Sequence, residues 1–102
     1  NENQFFYTSM LHFAISLEIG INTYNKNLIS YENICYLIPK QLGSRSTIQS
    51  ILNNGIQLGY FEKIISRNDK RVKHYKLSNN FIKIFENWIE NQRKILKAHY
   101  IK

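Results

Sequence analysis

Ser44-Arg45-Ser46-Thr47-Ile48-Gln49-Ser50-Ile51-Leu52-Asn53-Asn54, then Gly59-Tyr60-Phe61-Glu62-Lys63-Ile64-Ile65, then Ser66-Arg67-Asn68-Asp69-Lys70-Arg71, then Val72-Lys73-His74-Tyr75-Lys76-Leu77, is the stretch on which the fold turns. Ile48, Ile51 and Leu52 fall at helical spacing and give one inward stripe. Ser44 suits the N-cap of that helix. Arg45, Ser46, Gln49, Ser50 and Asn53 fall on the other side. Gly55 is expected to interrupt the helix, at a cost of about 1 kcal/mol relative to Ala. Gly59 is expected to end it in the left-handed region. Tyr60–Ile65 and Val72–Leu77 then read as two strands around a polar loop. Val72, His74 and Lys76 face one way, and Lys73, Tyr75 and Leu77 the other.

The positive charge is concentrated in this stretch. Lys40, Arg45, Lys63, Arg67, Lys70, Arg71, Lys73 and Lys76 stand against Glu62 and Asp69, a local net of +6 within an overall +7. Before Pro39 the balance is −2, and after Leu77 it is +3. Such a patch draws affinity from counterion release by a polyanion, without specifying sequence. A basic surface that serves only solubility is the bland alternative. The placement of the charge on a hairpin that follows a polar-faced helix favours nucleic acid.

At 102 residues the expectation is one domain, 1–102, with a modest core. A hydrophobic fraction of 43% excludes a disordered chain. No apolar run is long enough for a bilayer span. Asn1-Glu2-Asn3-Gln4-Phe5 lacks the basic-then-apolar order of a signal peptide. The single cysteine, Cys35, excludes an internal disulfide framework and fits a reducing cytoplasm.

Outward from the central stretch the chain reads as helices. Glu2 to Ile19 carries Phe5, Phe6, Met10, Leu11, Phe13, Ala14, Ile15, Leu17 and Ile19, too many apolar residues for one stripe. A helix apolar all round is buried all round, and a partner chain is the simplest cover. Gly20 and Asn22 mark its expected end. Leu28-Ile29 is a short strand candidate. Ser30 caps a helix from Tyr31 to about Leu37, with Glu32 in its first turn and Ile34, Leu37 and Ile38 inward. Pro39 stops that helix, and Lys40–Gly43 turns the chain. Ser78 caps a last helix to about Leu96. Its stripe is Phe81, Ile82, Phe85, Trp88, Ile89, Gln92, Ile95 and Leu96.

The order is helix, short strand, helix, helix, hairpin, long helix: mainly α with a small β-hairpin (α+β), the plan of a winged helix-turn-helix. The run from Ser44 to Ser78 resembles the MarR (multiple antibiotic resistance regulator) family of winged-helix repressors. That family has a Ser/Thr-rich recognition helix, then a Gly, an apolar pair and a charged wing with an Asp-x-Arg element. The matching positions here are Ser46-Thr47, Gly59, Tyr60-Phe61, Asp69-Lys70-Arg71 and the Leu77-Ser78 step into the last helix. The likeness runs from about Ser30 to Phe85. It implies a DNA-binding core over 28–78 and dimerisation through helices at 1–20 and 79–98. It also implies a site for a small aromatic effector, which Tyr7, Phe13, Tyr31, Tyr36 or Trp88 would line; core packing is the plainer reading of these aromatics. Gly55 departs from the family's apolar residue there, which implies a bent helix end. The first helix is shorter than the family's, which implies a different dimer geometry.

The expected partner is therefore double-stranded DNA, read by a homodimer in the cytoplasm. The major groove admits a helix; Arg reads guanine, and Gln and Asn read adenine. Ser44, Arg45, Ser46, Thr47, Gln49, Ser50 and Asn53 are the candidates on the helix. Arg71 is the candidate for minor-groove entry, with Arg67, Lys70 and Lys73 on phosphates. Asp69 is expected to structure the wing, and an ordinary turn residue is its plain alternative. Phe5, Phe6, Phe13, Phe85, Trp88, Ile89 and Ile95 are the candidate dimer interface. His12, His74 and His99 share no metal-ligand spacing with each other or with Cys35. No catalytic arrangement, metal site or cofactor motif is found, so an enzyme is not expected. Two rivals stand beside the regulator: an architectural or replication-associated DNA binder, and a winged helix used for protein–protein contact.

Overall fold

Side-chain caps and a proline divide this chain, and each acts locally. The computed structural model describes residues 2–99. Its helices are α1 (Glu2–Tyr7), α2 (Met10–Tyr24), α3 (Tyr31–Leu37), α4 (Arg45–Gln57) and α5 (Asn79–His99). Its strands are β1 (Ile29–Ser30), β2 (Phe61–Ile65) and β3 (Lys73–Leu77). The Ser30 hydroxyl accepts from the Asn33 N–H at 3.1 Å and opens α3. Ser44 does the same for α4 through the Thr47 N–H at 3.3 Å, and Ser78 for α5 through Phe81 at 3.2 Å. Each satisfies one N–H that the first helical turn leaves free. Ile38, ahead of Pro39, is extended at ψ 125°, and a short 3-10 turn at Lys40–Leu42 carries the chain into α4.

The three strands form one antiparallel sheet in the order β1-β3-β2. Phe61 pairs with Leu77 and Ile65 with Lys73; Ile29 pairs with Tyr75 and Ser30 with His74. β1 is too short to reach Leu77. There the Thr23 hydroxyl of α2 accepts the Leu77 N–H at 3.0 Å, so this edge amide is not left unpaired. Tyr75, Leu77 and Phe61 point inward from the sheet and meet Ile48, Ile51 and Leu52 of α4, Ile15 and Ile19 of α2, and Phe81 and Phe85 of α5 in one core.

Several expectations are corrected. Glu2–Ile19 is two helices, because Ser9 is extended and its hydroxyl caps α2 through the His12 N–H at 3.1 Å. The second helix does not end at Gly20 or Asn22. It runs on to Tyr24 and the chain turns at Lys26, whose φ is 63°. Gly20 is buried because the Phe85 ring lies where a side chain would stand. Leu37 points to solvent, leaving Ile34 and Ile38 as the inner face of α3. The first strand starts one residue later than expected, and β2 and β3 each begin one residue later. The last helix extends beyond Leu96.

Gly55 does not interrupt α4, which continues to Gln57. The residue is there for space. A Cβ would stand 2.3 Å from the Phe61 ring, and that ring is itself buried. Gly55→Ala is therefore expected to destabilise the fold. Overpacking of this kind costs about 1–3 kcal/mol, more than the roughly 1 kcal/mol that Ala gains over Gly in a helix. Thermal unfolding checks the sign; a variant that melts higher than the parent removes the steric account.

Candidate nucleic-acid interface

The inward stripe of Ile48, Ile51 and Leu52 fixes which side of α4 meets solvent. Ser44, Arg45, Ser46, Thr47, Ser50 and Asn53 are exposed. The Ser44 hydroxyl lies 3.0 Å from that of Ser46 and 3.1 Å from that of Thr47. Three hydroxyls thus gather at the positive end of the helix, a chemistry suited to a phosphate oxygen. Gln49 differs from the expectation: it is half-buried. Its amide donates to Asn53 Oδ1 at 3.1 Å, beside the buried Tyr75 hydroxyl, whose pKa burial pushes up.

Arg45 is held. Its two terminal nitrogens donate to the two carboxylate oxygens of Glu32 on α3, the first at 3.2 Å. Its guanidinium carbon lies 5.6 Å from the centroid of the Tyr31 ring, and the Tyr31 hydroxyl donates to the Arg45 carbonyl at 3.3 Å. The hydrogen bond from Arg45 holds the Glu32 carboxyl below its usual range, and Glu32 in turn raises the guanidinium. Glu32 had a place in the sequence only as a first-turn acid. Its partner lies thirteen positions on, and no local spacing points to such a contact.

The wing is organised by short-range bonds. Asp69 accepts from the Arg71 N–H at 3.0 Å, from Arg71 Nε at 3.2 Å and from an Arg71 terminal nitrogen at 3.4 Å. The Ser66 hydroxyl accepts from the N–H groups of Asn68 and Asp69, and the Ser66 N–H donates to the Val72 carbonyl at 3.2 Å. Arg71 lowers the Asp69 pKa through those bonds. The Arg71 side chain is 91% exposed. Arg67 and Lys70 are exposed as well, and Lys73 is half-buried at the base of the hairpin.

Helix and wing meet across a groove of about 360 Å³, lined by Ser30, Tyr31, Glu32, Gln49, Arg71, Val72 and Lys73. The fold thus brings Gln49 together with Arg71 and Lys73. Thr47, Ser50 and Asn53 line a broader cleft on the other side of α4, of about 610 Å³, with Ser9 and His12 of the α2 start. Burial lowers the His12 pKa. Arg67 and Lys70 border neither space.

The expected dimer residues divide. Phe5, Phe6 and Phe85 are buried in the chain's own core, so the partner-facing role expected of them is corrected. Phe6 and Phe85 stack on one another with centroids 6.2 Å apart, and Gly20 gives Phe85 its seat. Phe13, Trp88 and Ile89 are half-buried, and Ile95 is exposed. The expected effector aromatics also divide. Tyr7 stacks on Phe13 at 6.1 Å and accepts from Trp88 Nε1 at 2.8 Å, whereas Tyr36 is exposed on α3 and Tyr31 holds Arg45. Among the described residues no group of three or more His, Cys, Asp or Glu could hold a metal ion. The His99 side chain lies outside the described residues. No described helix is long and apolar enough to cross a membrane.

No protein-family model and no curated protein matches the chain. Solved structures do. A ZitR variant of Lactococcus lactis aligns at TM-score 0.62 with 13% identity, over 84% of this chain and 56% of that one. FabT of Streptococcus pneumoniae, solved in complex with DNA, aligns at TM-score 0.59 with 16% identity, over 85% of this chain and 57% of that one. The heme sensor PefR of Streptococcus agalactiae, solved in complex with heme, aligns at TM-score 0.60 with 17% identity, over 87% and 61%. The chain spans a little over half the length of the first of these structures. Together they show the fold: mostly helical with a small three-stranded antiparallel sheet, a winged helix.

Proposed function

We propose that this chain binds double-stranded DNA with sequence preference and regulates transcription in the cytoplasm, with α4 in the major groove and the β2–β3 wing in the minor groove. The observation that carries this is the groove between helix and wing. Gln49 lines one wall and two cations, Arg71 and Lys73, the other, which supports a base-reading amide beside groups that meet the backbone. A helix face with Arg, amides and hydroxyls reads base edges, and an exposed Arg on a hairpin suits a narrow minor groove. FabT, which shares the fold, was solved with DNA bound.

The acting species in this reading is a homodimer. Tyr7, Met10 and Ile21 expose apolar surface on α1 and α2, and Ile95 and Leu96 on α5. Such surface on a monomer favours association, and a two-fold dimer offers two recognition helices to a pseudo-palindrome. A small aromatic effector would find its place in the apolar hollow of about 380 Å³ beside Phe6, Tyr7, Met10 and Phe13.

Salt titration tests the reading. A dimer that neutralises about six to eight phosphates gives a slope of log affinity on log salt of about −5 to −7. A slope near zero overturns DNA binding. Equal affinity for random and enriched duplexes, with the slope retained, moves the assignment to an architectural binder.

A further inference from the structure

Arg45 stands at the first turn of the proposed recognition helix, yet its charge is already engaged. The Glu32 carboxylate meets the guanidinium end-on, one oxygen to each terminal nitrogen. The Tyr31 ring and hydroxyl hold the same residue from α3. The ion pair is open to water, with the two side chains 60% and 70% exposed. Exposed pairs of this kind add little to folding stability. Among the described residues Glu32 is also the only acid lining the groove whose other charged walls are Arg71 and Lys73. An unpaired carboxylate there would repel the DNA that the cations attract.

We infer that Glu32 and Tyr31 set the sequence specificity of the recognition helix by holding Arg45 as an aimed, charge-neutralised reader of a guanine edge. This rests on the DNA-binding reading above. A guanidinium has five N–H donors. An end-on pair with a carboxylate uses one from each terminal nitrogen and leaves the side edge, Nε with one terminal nitrogen, free. That edge matches guanine O6 and N7. A free Arg at the same place would turn to any phosphate within reach, a contact blind to sequence. Pairing with Glu32 cancels that attraction and fixes the fork in one direction. The Tyr31 ring beneath the guanidinium removes a further freedom. Glu32 and Tyr31 are positioning residues: each acts on base choice through Arg45.

The test begins with selection from a randomised duplex pool by the unaltered protein. Affinities for the selected duplex and for random duplex are then measured by fluorescence anisotropy for the parent, Glu32→Gln and Glu62→Gln. Glu62 pairs loosely with Lys76 across the wing, at 3.9 Å, and controls for the loss of one negative charge. Glu32→Gln is expected to strengthen random-duplex binding about ten- to a hundredfold, as one added neutralised phosphate in each half of the dimer would. Its ratio of selected to random affinity should fall about tenfold, and its own selection should lose one guanine per half-site. Glu62→Gln should strengthen both duplexes alike and keep the ratio. The Glu32→Gln melting temperature should not move. A ratio and a selected sequence unchanged in Glu32→Gln overturn the inference, as does a large fall in its melting temperature. Failure of the unaltered protein to enrich any duplex overturns the sequence-reading function itself, and the inference with it.

Discussion

Phe85→Ala is expected to remove a large part of the stability of the fold. Phe85 is fully buried. Its ring stacks with Phe6 and Trp88, each at 6.2 Å, and fills the space that Gly20 leaves in α2. Truncating such a ring costs about 3–5 kcal/mol, against a total of roughly 5–15 kcal/mol for a domain of this size. At about 4–8 °C per kcal/mol the melting temperature should fall by about 15 °C or more. The collapse that could relieve the cavity is limited, because α2 and α5 already touch at a glycine. Ile95→Ala is the contrast. Ile95 is exposed on the outer part of α5, so the fold should change by less than about 0.5 kcal/mol. Circular dichroism melts at two protein concentrations separate core from interface. If Phe85→Ala melts as the parent does and only dissociates, the ring belongs to a subunit interface after all.

The same residue shows what a periodic stripe can and cannot say. Helical spacing over Phe81–Leu96 correctly marks one apolar face on α5, and the Ser caps mark where α3, α4 and α5 begin. These signals are local: a hydroxyl bonds an N–H three residues on, and an apolar face repeats every turn. Whether the face meets its own chain or a partner is not local. The residues that decide it are Gly20 and Ser9. Gly20 reads as a helix end, yet it is the seat of a ring from α5, more than sixty positions along the sequence. Ser9 breaks the first segment in two and folds α1 back so that Phe6 stacks on Phe81 at 5.1 Å. Gly55 misleads for the same reason. Its backbone cost is visible in the sequence, and the Phe61 ring that requires it is not. The wing is the opposite case. Asp69 and Arg71 are two residues apart, so their pairing was within reach of the sequence. The Arg45–Glu32 pair, thirteen residues apart on two helices, was not.

Removing the cations of the wing should weaken DNA binding far more than it disturbs the fold. The variant is Arg67, Lys70, Arg71 and Lys73, all changed to Ala. Arg67, Lys70 and Arg71 are exposed, and Lys73 lines the groove beside Gln49. Each phosphate no longer neutralised flattens the slope of log affinity on log salt by about 0.9. Loss of three to four phosphate contacts per dimer should flatten it by about 3, and lower affinity near 0.1 M salt roughly a thousandfold. Asp69 should deepen the loss. Arg71 holds its carboxylate through two side-chain bonds, and without them a bare negative charge faces the duplex. Adding Asp69→Asn to the variant should therefore return part of the affinity. The hairpin itself should survive, because its bonds are mostly backbone: Ser66 N–H to the Val72 carbonyl, Val72 N–H to the Asp69 carbonyl, and the ladder from Phe61–Leu77 to Ile65–Lys73. The bond from residue 71 N–H to the Asp69 carboxylate remains available in the Ala variant. Anisotropy titrations at three or more salt concentrations, beside a melting curve, measure both effects. An unchanged slope would remove the wing from the interface, and a melt many degrees lower would make its charges structural.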